Sequence, residues 1–378
     1  MDEFEEQSEE LRIQFAEAFE RTTDPLKAYE TTFESLDADP FELFVTEALL
    51  ADDISERTVD QYRIAYRQWH DYMDGIGRHP ACPNDAHVRG FAHWLQAEQN
   101  NGAIQTIKQK LHKLNRAYRF WQREPALPHT QHYDPFALGR EKIRWDSFDD
   151  TRNKSPPPIP RETLQEILAS IPDLREQTPI ATQLKLGLRV GELRNIQLQD
   201  VNLHCPELNN RYPSLGTHER VRDRTNAIYV PANNERKGNK SAVGRLLPLD
   251  TEMQWAFRRF LQVRPTCVDT WFFISKEFSR IDLHAVNDSW KAAFHPEYAE
   301  SSNYRAVTSH FGRHYFTSYW RKDQNLPREL VQYMRGDRVG DPGNDTSGLF
   351  HYLHAYYEDI EERYRRDIYD LGLRDYQD

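Results

Sequence analysis

LGLRVGELRNIQLQDVNL, residues 186–203, carries more structural information than any other stretch of this chain. It closes a helical region predicted from about Pro179 to Asp200, and it combines a Gly-Leu-Arg turn, a Gly-Glu-Leu step and an aspartate. Arg189 and Glu192 are one helical step apart, so Glu192 can orient polar groups around the guanidinium; alone, the pair is an ordinary surface ion pair at i,i+3. Three later segments give it weight. KGNKSAVGRLLPL (237–249) places Lys237 and Lys240 in a polar, glycine-containing stretch. That stretch separates two strand signals, Ala227 to Val230 and Leu246 to Leu249, and suits a hairpin. TSHFGRHYF (308–316) sets His310 and Arg313 three residues apart on one helical face. HYLHAYYEDIEERY (351–364) offers Tyr352, Tyr356 and Tyr357 at the head of an amphipathic helix.

Upstream, three amphipathic helices are predicted. Thr58 and Gln61 have capping-box spacing, and Val59, Tyr62, Tyr66, Trp69 and Tyr72 follow at helical intervals. Val88, Phe91 and Leu95 form a second apolar face after a break from Gly75 to Asn84, and Ile104 to Trp121 a third. The polar side of the third carries Lys108, Lys110, Lys113, Arg116 and Arg119, a face that is either solvated or laid on nucleic-acid phosphates. The resulting organisation is an acidic helical or partly disordered arm (1–40), a helical domain (41–125), a proline-rich extended linker (126–160) and a second domain (161–378). The second domain is mainly α with a small β-hairpin, an α+β unit.

Composition sets the outer limits. The chain has 378 residues, 38% hydrophobic and 29% charged, enough for real cores. No apolar run reaches spanning length, so no membrane partner is expected. The first residues, MDEFEEQSEE, lack the pattern of a secretory signal. Cys82, Cys205 and Cys267 are far apart and odd in number, which excludes a disulfide framework and a cysteine-rich zinc site and makes the cytoplasm the expected location. A net charge of −11 argues against nucleic acid until it is divided by region. Residues 1–60 hold 19 acids against 4 bases, whereas the remainder holds 41 acids against 45 bases. Of all 49 bases, 12 are Lys, and the 37 Arg suit bidentate phosphate contacts; an acidic, Lys-poor chain is also the mark of a salt-adapted proteome.

The four segments, in this order behind a helical domain, resemble the signature boxes of the tyrosine recombinase (phage-type integrase) family over roughly residues 41–370. The resemblance implies metal-free cleavage of a DNA phosphodiester, with no cofactor. Such chemistry needs a nucleophile, positive charge on the developing phosphorane and an acid for the leaving oxygen. Arg189 and Arg313 would be the clamp, with Glu192 supporting. His310 would serve as hydrogen-bond donor or general acid/base, with His314 as packing. A hairpin lysine would protonate the 5′ oxygen: KGNK favours Lys237, while the distance to Arg245 and Pro248-Leu249 matches the family better from Lys240, which is preferred. Tyr352 aligns with the family's nucleophile, bringing His354, Ile360 and Tyr364 into register; Tyr356 and Tyr357 are the alternatives. The implied partners are double-stranded DNA and three further copies of the chain, a homo-tetramer on two DNA sites, with the segment after Tyr364 as a trans-packing element.

One departure stands out. YMRGDRVG (333–340) places Asp337 where the family has a histidine. A carboxylate there repels a phosphate unless it is protonated or turned toward an arginine such as Arg335 or Arg338. The following loop, Asp341 to Gly348, is rich in Gly, Pro, Asn and Asp and reads as a flexible tether. Two rival functions share these residues: a type IB topoisomerase, and a recombinase-derived DNA-binding protein with weakened catalysis.

Overall fold

A computed structural model describes residues 3–52, 54–98, 103–148, 154–266, 270–337 and 349–374, with the side chains of 3–9, 98 and 349–355 outside the description. The chain divides into two compact units, Met1–Asn153 and Lys154–Asp378.

The first unit is all helical: α1 (Glu3–Ala18), α2 (Glu30–Glu34), α3 (Pro40–Phe44), α4 (Glu56–Gly75), α5 (Asp85–Glu98), α6 (Ile104–Trp121) and α7 (Pro135–Lys142). The expected apolar stripes are the buried ones. On α4 they are Val59, Tyr62, Tyr66 and Trp69, with Met73 buried in place of the expected Tyr72, which is partly buried; on α6, Ile107, Leu111, Leu114, Tyr118 and Trp121. Both indoles also satisfy their N–H groups inside the core, Trp69 on the Pro80 carbonyl (2.9 Å) and Trp121 on that of Pro40 (2.9 Å). α4 starts three residues before the predicted cap, at Ser55, whose hydroxyl meets that of Thr58 at 2.8 Å.

Both borders of this unit differ from expectation. In the acidic arm, Phe15 of α1 and Phe19 just after it are exposed. Beyond them, Leu26 and Phe33 are buried in the unit's core, and Asp24 pairs with Arg78 at 2.8 Å, so the folded region begins well before Phe41. The proline-rich stretch is not extended throughout. Asp134 accepts from the Ala137 amide (2.8 Å), Pro135 occupies the first turn, and α7 follows, burying Phe136. Proline breaks helix interiors but favours their first position. Ile143 and Phe148 extend the same core.

The second unit comprises α8 (Arg161–Ala169), α9 (Leu174–Leu186), α10 (Val190–Arg194), β1 (Val201–Asn202), α11 (Pro206–Arg211), β2 (Ala227–Val230), β3 (Arg245–Pro248), α12 (Thr251–Val263), α13 (Leu283–Phe294), α14 (Ser309–Ser318), α15 (Arg328–Arg335) and α16 (Leu349–Asp367). The predicted hairpin is present, with Ile228 opposite Leu247, and β1 adds a third antiparallel strand. The helix expected over 179–200 is instead α9, a turn at Gly187 and the short α10; Asp173 caps α9 upstream, and Pro179 lies within it.

α9 is the central helix. Every residue from Thr178 to Leu186 is buried, including Lys185, which meets Asp250 at 2.7 Å and Glu252 at 2.6 Å. Glu252 also accepts the main-chain amides of Leu371 (2.9 Å) and Leu373 (2.8 Å), tying these two residues onto their own unit. At the free edge of β3, Tyr333 of α15 donates its hydroxyl to the Leu246 carbonyl (3.1 Å) and accepts the Leu246 amide (3.2 Å). That contact sets α15 over the hairpin.

Candidate active site

Gly187 ends α9 with φ 62°, and a Cβ there would lie 2.5 Å from the Phe316 ring. Only glycine meets both demands at once. The turn makes Arg189 the N-cap of α10: its amide donates to Glu192 Oε2 (2.9 Å) and its Nη1 to Glu192 Oε1 (3.1 Å). Glu192 is fully buried. Its second cation is Arg245 of β3, itself buried, whose Nη2 donates at 2.9 Å. Burial alone would raise the Glu192 pKa, but the charge of Arg245 and hydrogen bonds from Arg245, Ser241 and the Arg189 amide hold it down at about 2.

Arg313 projects from α14 with its side chain 3% exposed. Its Nη1 donates to the carbonyls of Gly187 (2.9 Å) and Arg335 (2.8 Å). Burial first, then the charge of Arg189, lowers its pKa to about 9, which leaves it a cation at neutral pH. Arg189 and Arg313 converge: Nη2 of each donates to a single oxygen, Asp337 Oδ1, at 2.7 and 2.8 Å. Asp337 Oδ2 pairs with Arg335 Nε at 2.9 Å. α15 ends in a left-handed residue, Gly336 (φ 67°), and the Asp337 amide returns to the Gln332 carbonyl (2.9 Å), a Schellman closure that aims the aspartate inward. Asp337 is therefore turned toward arginines; Arg338 and the loop 341–348 lie outside the described residues.

His310 is solvent-accessible one turn before Arg313, its ring centre 4.6 Å from that of His314. Desolvation, then the charges of Arg305, Arg313, Arg189 and Arg335, lower its pKa. Desolvation and Arg305 bring His314 to about 4, as befits an imidazole that accepts from Arg305 Nη2 at 2.6 Å.

Both candidate lysines are exposed on the β2–β3 loop. The Lys237 carbonyl accepts from Asn195 Nδ2 (3.3 Å), whereas Lys240 precedes Ser241, whose hydroxyl bonds Glu192 and accepts from Arg245 Nη1 (2.9 Å). Buried Asn239, between them, accepts from Asn195 Nδ2 (2.8 Å) and donates to the Pro231 carbonyl (2.7 Å). The loop is thus seated on the LGLRVGELRN segment.

Tyr352 and His354 stand in the first turns of α16, with side chains outside the described residues. Tyr356 stacks on Tyr333 with ring centres 5.3 Å apart. Tyr357 is fully buried; burial raises its pKa, and its hydroxyl donates to Glu361 (3.1 Å).

In the first unit, the basic side of α6 leans on aromatic rings. Lys108 lies 4.6 Å from the Trp145 ring centre and Lys113 5.7 Å from that of Tyr62. Arg116 donates to the Tyr62 hydroxyl, and Arg119 pairs with Asp134 at 3.6 Å. Lys110 is half-buried, and that desolvation lowers its pKa.

The sequence reading named Arg335 as a partner for Asp337 but missed Arg245 as part of this cluster. Arg245 had a signal: an arginine inside an otherwise apolar strand must find a buried acid.

No family model and no curated protein matches the sequence. Among solved structures, the chain is similar to the Tn1549 transposon integrase in complex with transposon right-end DNA, at 15% identity and a TM-score of 0.57, over 85% of this chain and 95% of that one. It is also similar to a lambda integrase tetramer bound to a Holliday junction, at 12% identity and a TM-score of 0.57, over 92% and 90% of the two chains. A lambda integrase dimer bound to a core site gives 0.55 at 12% identity, over 82% and 98%. The order of elements, the arginine pair behind α9 and on α14, and these likenesses agree: the chain has the fold of the tyrosine recombinases.

Proposed function

We propose that the protein is a site-specific DNA recombinase, an integrase-type strand transferase that cuts and rejoins double-stranded DNA through a 3′-phosphotyrosyl intermediate. The observation that carries this reading is the convergence of the Arg189 and Arg313 Nη2 donors on one anionic oxygen, at 2.7 and 2.8 Å, within a recombinase fold. Two guanidinium groups so placed can hold a non-bridging phosphate oxygen and stabilise the charge that grows on a phosphorane.

In the proposed step, the Tyr352 oxygen attacks phosphorus, a P–O bond to tyrosine forms and the P–O5′ bond breaks. Lys240 gives its proton to the departing 5′ oxygen, and Lys237 is the alternative donor. His310 supplies a hydrogen bond or takes up the tyrosine proton; its lowered pKa keeps the imidazole neutral at pH 7. Rejoining is the reverse, with a 5′-hydroxyl of a partner strand as nucleophile. The α6 cations would contact backbone phosphates, and four copies would assemble on two DNA sites in the cytoplasm. The burial of Tyr357 and the stacking of Tyr356 support Tyr352 over both.

A nicked suicide duplex tests the reading. The expected result is an SDS-stable protein–DNA adduct formed by the wild type and lost in Tyr352→Phe. Absence of adduct at every salt concentration sinks the enzymatic reading and leaves a DNA-binding descendant, which the carboxylate in the clamp favours. An adduct that persists in Tyr352→Phe moves the nucleophile to Tyr356 or Tyr357.

A further inference from the structure

The anion between Arg189 and Arg313 belongs to the protein. Asp337 Oδ1 accepts one Nη2 hydrogen bond from each, and Oδ2 faces Arg335. A phosphodiester asks for the same arrangement: two guanidinium donors on one oxygen and a further cation on a second oxygen. The charges match as well, since a carboxylate and a phosphodiester each carry one negative charge. Three arginines around one point repel one another without an anion among them, and Glu192, which touches Arg189, shares its single charge with buried Arg245. We propose that Asp337 is a built-in phosphate surrogate that closes the clamp in the DNA-free protein, and that a DNA phosphate enters by exchanging with it.

The exchange has a defined pivot. Gly336, left-handed at φ 67°, packs where a Cβ would meet Arg245 Nη1 at 2.3 Å and Ser241 Oγ at 2.4 Å, so only glycine fits the turn, and exchange needs only a rotation of the aspartate side chain about its own bonds. Asp337 then acts as a threshold on binding. A phosphate held by non-specific contacts meets an occupied clamp, and a site that also engages the rest of the protein surface displaces the carboxylate. The proposal rests on the recombinase reading for its biological meaning and not for its chemistry, because occupancy of the clamp can be measured with inorganic phosphate alone.

Asp337→Asn removes the competing charge in the full-length protein. Isothermal titration with inorganic phosphate should give a Kd at least tenfold lower for Asp337→Asn than for wild type, with Asp337→Glu resembling wild type. Phosphate should raise the melting temperature of Asp337→Asn more than that of wild type, and adding Arg189→Ala should remove the gain. Equal phosphate affinity in wild type and Asp337→Asn overturns the proposal, as does a gain that survives Arg189→Ala. If Asp337→Asn does not fold, Asp337→Ser is titrated under the same criteria; if neither folds even in phosphate, phosphate does not replace the aspartate and the proposal falls. The suicide-duplex adduct is scored separately: a phosphate gain without adduct sinks the recombinase reading and keeps the surrogate, whereas adduct without a phosphate gain does the converse.

Discussion

Glu192 shows what a single side chain does for this site. It is buried, faces Arg189, Ser241 and Arg245, and its pKa is held at about 2 against an ordinary 4.5. A carboxylate depressed on folding contributes stability above its unfolded pKa and loses it as pH falls through its folded pKa. The window is therefore pH 4.5 down to about 2, and the shift corresponds to about 3 kcal/mol. Glu192→Gln strands the buried Arg245 and should destabilise the protein by about 3–5 kcal/mol at pH 7. The stability of that variant should also lose part of the slope that the wild type shows between those pH values, as followed by chemical denaturation. Unchanged midpoints would show that Arg245 finds another anion. The pairing of Arg189 with Glu192 was legible from their spacing. The second role of Glu192 was not, because Arg245 is brought to it across 53 residues by the hairpin.

At the level of elements, the chain reads well where periodicity dominates and badly where punctuation has two meanings. α4, α5, α6 and the β2–β3 hairpin follow their apolar spacing, because each buries one face and the pattern records that face. α7 was concealed by its prolines, and the break at Gly187 by the helical spacing on either side. In the first case, Asp134-Pro135 starts a helix that the surrounding prolines seemed to forbid. In the second, the Gly-Leu-Arg turn was visible, but the packing of the left-handed Gly187 on Phe316 that fixes the helix end there is a tertiary contact. Phe136→Ala measures how much α7 contributes. Emptying that site in the aromatic core should cost about 3–5 kcal/mol and lower the melting temperature of the first unit. A loss below about 1 kcal/mol would mean that α7 is peripheral to that core.

For the whole molecule, charge is meaningful only by region. The acidic excess sits in residues 1–60, but that stretch is not one object. The described side chains of α1 from Glu10 on are largely exposed, whereas Asp24, Leu26 and Phe33 belong to the folded first unit. Deleting residues 1–20 removes eight acids and one base from the count and should raise affinity for non-specific duplex at matched salt without changing the melting temperature. Deleting residues 1–40 also strips Arg78 of its Asp24 partner and opens the core at Leu26 and Phe33, so the melting temperature should fall. Equal duplex affinity after the shorter deletion would show that α1 does not screen the basic surfaces.

The clamp is assembled from parts that are remote along the chain. Arg189 follows α9, Arg245 lies on β3, Arg313 on α14 and Asp337 after α15, and Arg189 meets Asp337 across 148 residues. No early portion of a growing chain contains both guanidinium groups, and a loosely folded one cannot bring them to a common oxygen. The paired guanidinium clamp therefore arises last, when the second unit has closed on itself. An incompletely folded copy has no paired guanidinium groups to offer to an anion.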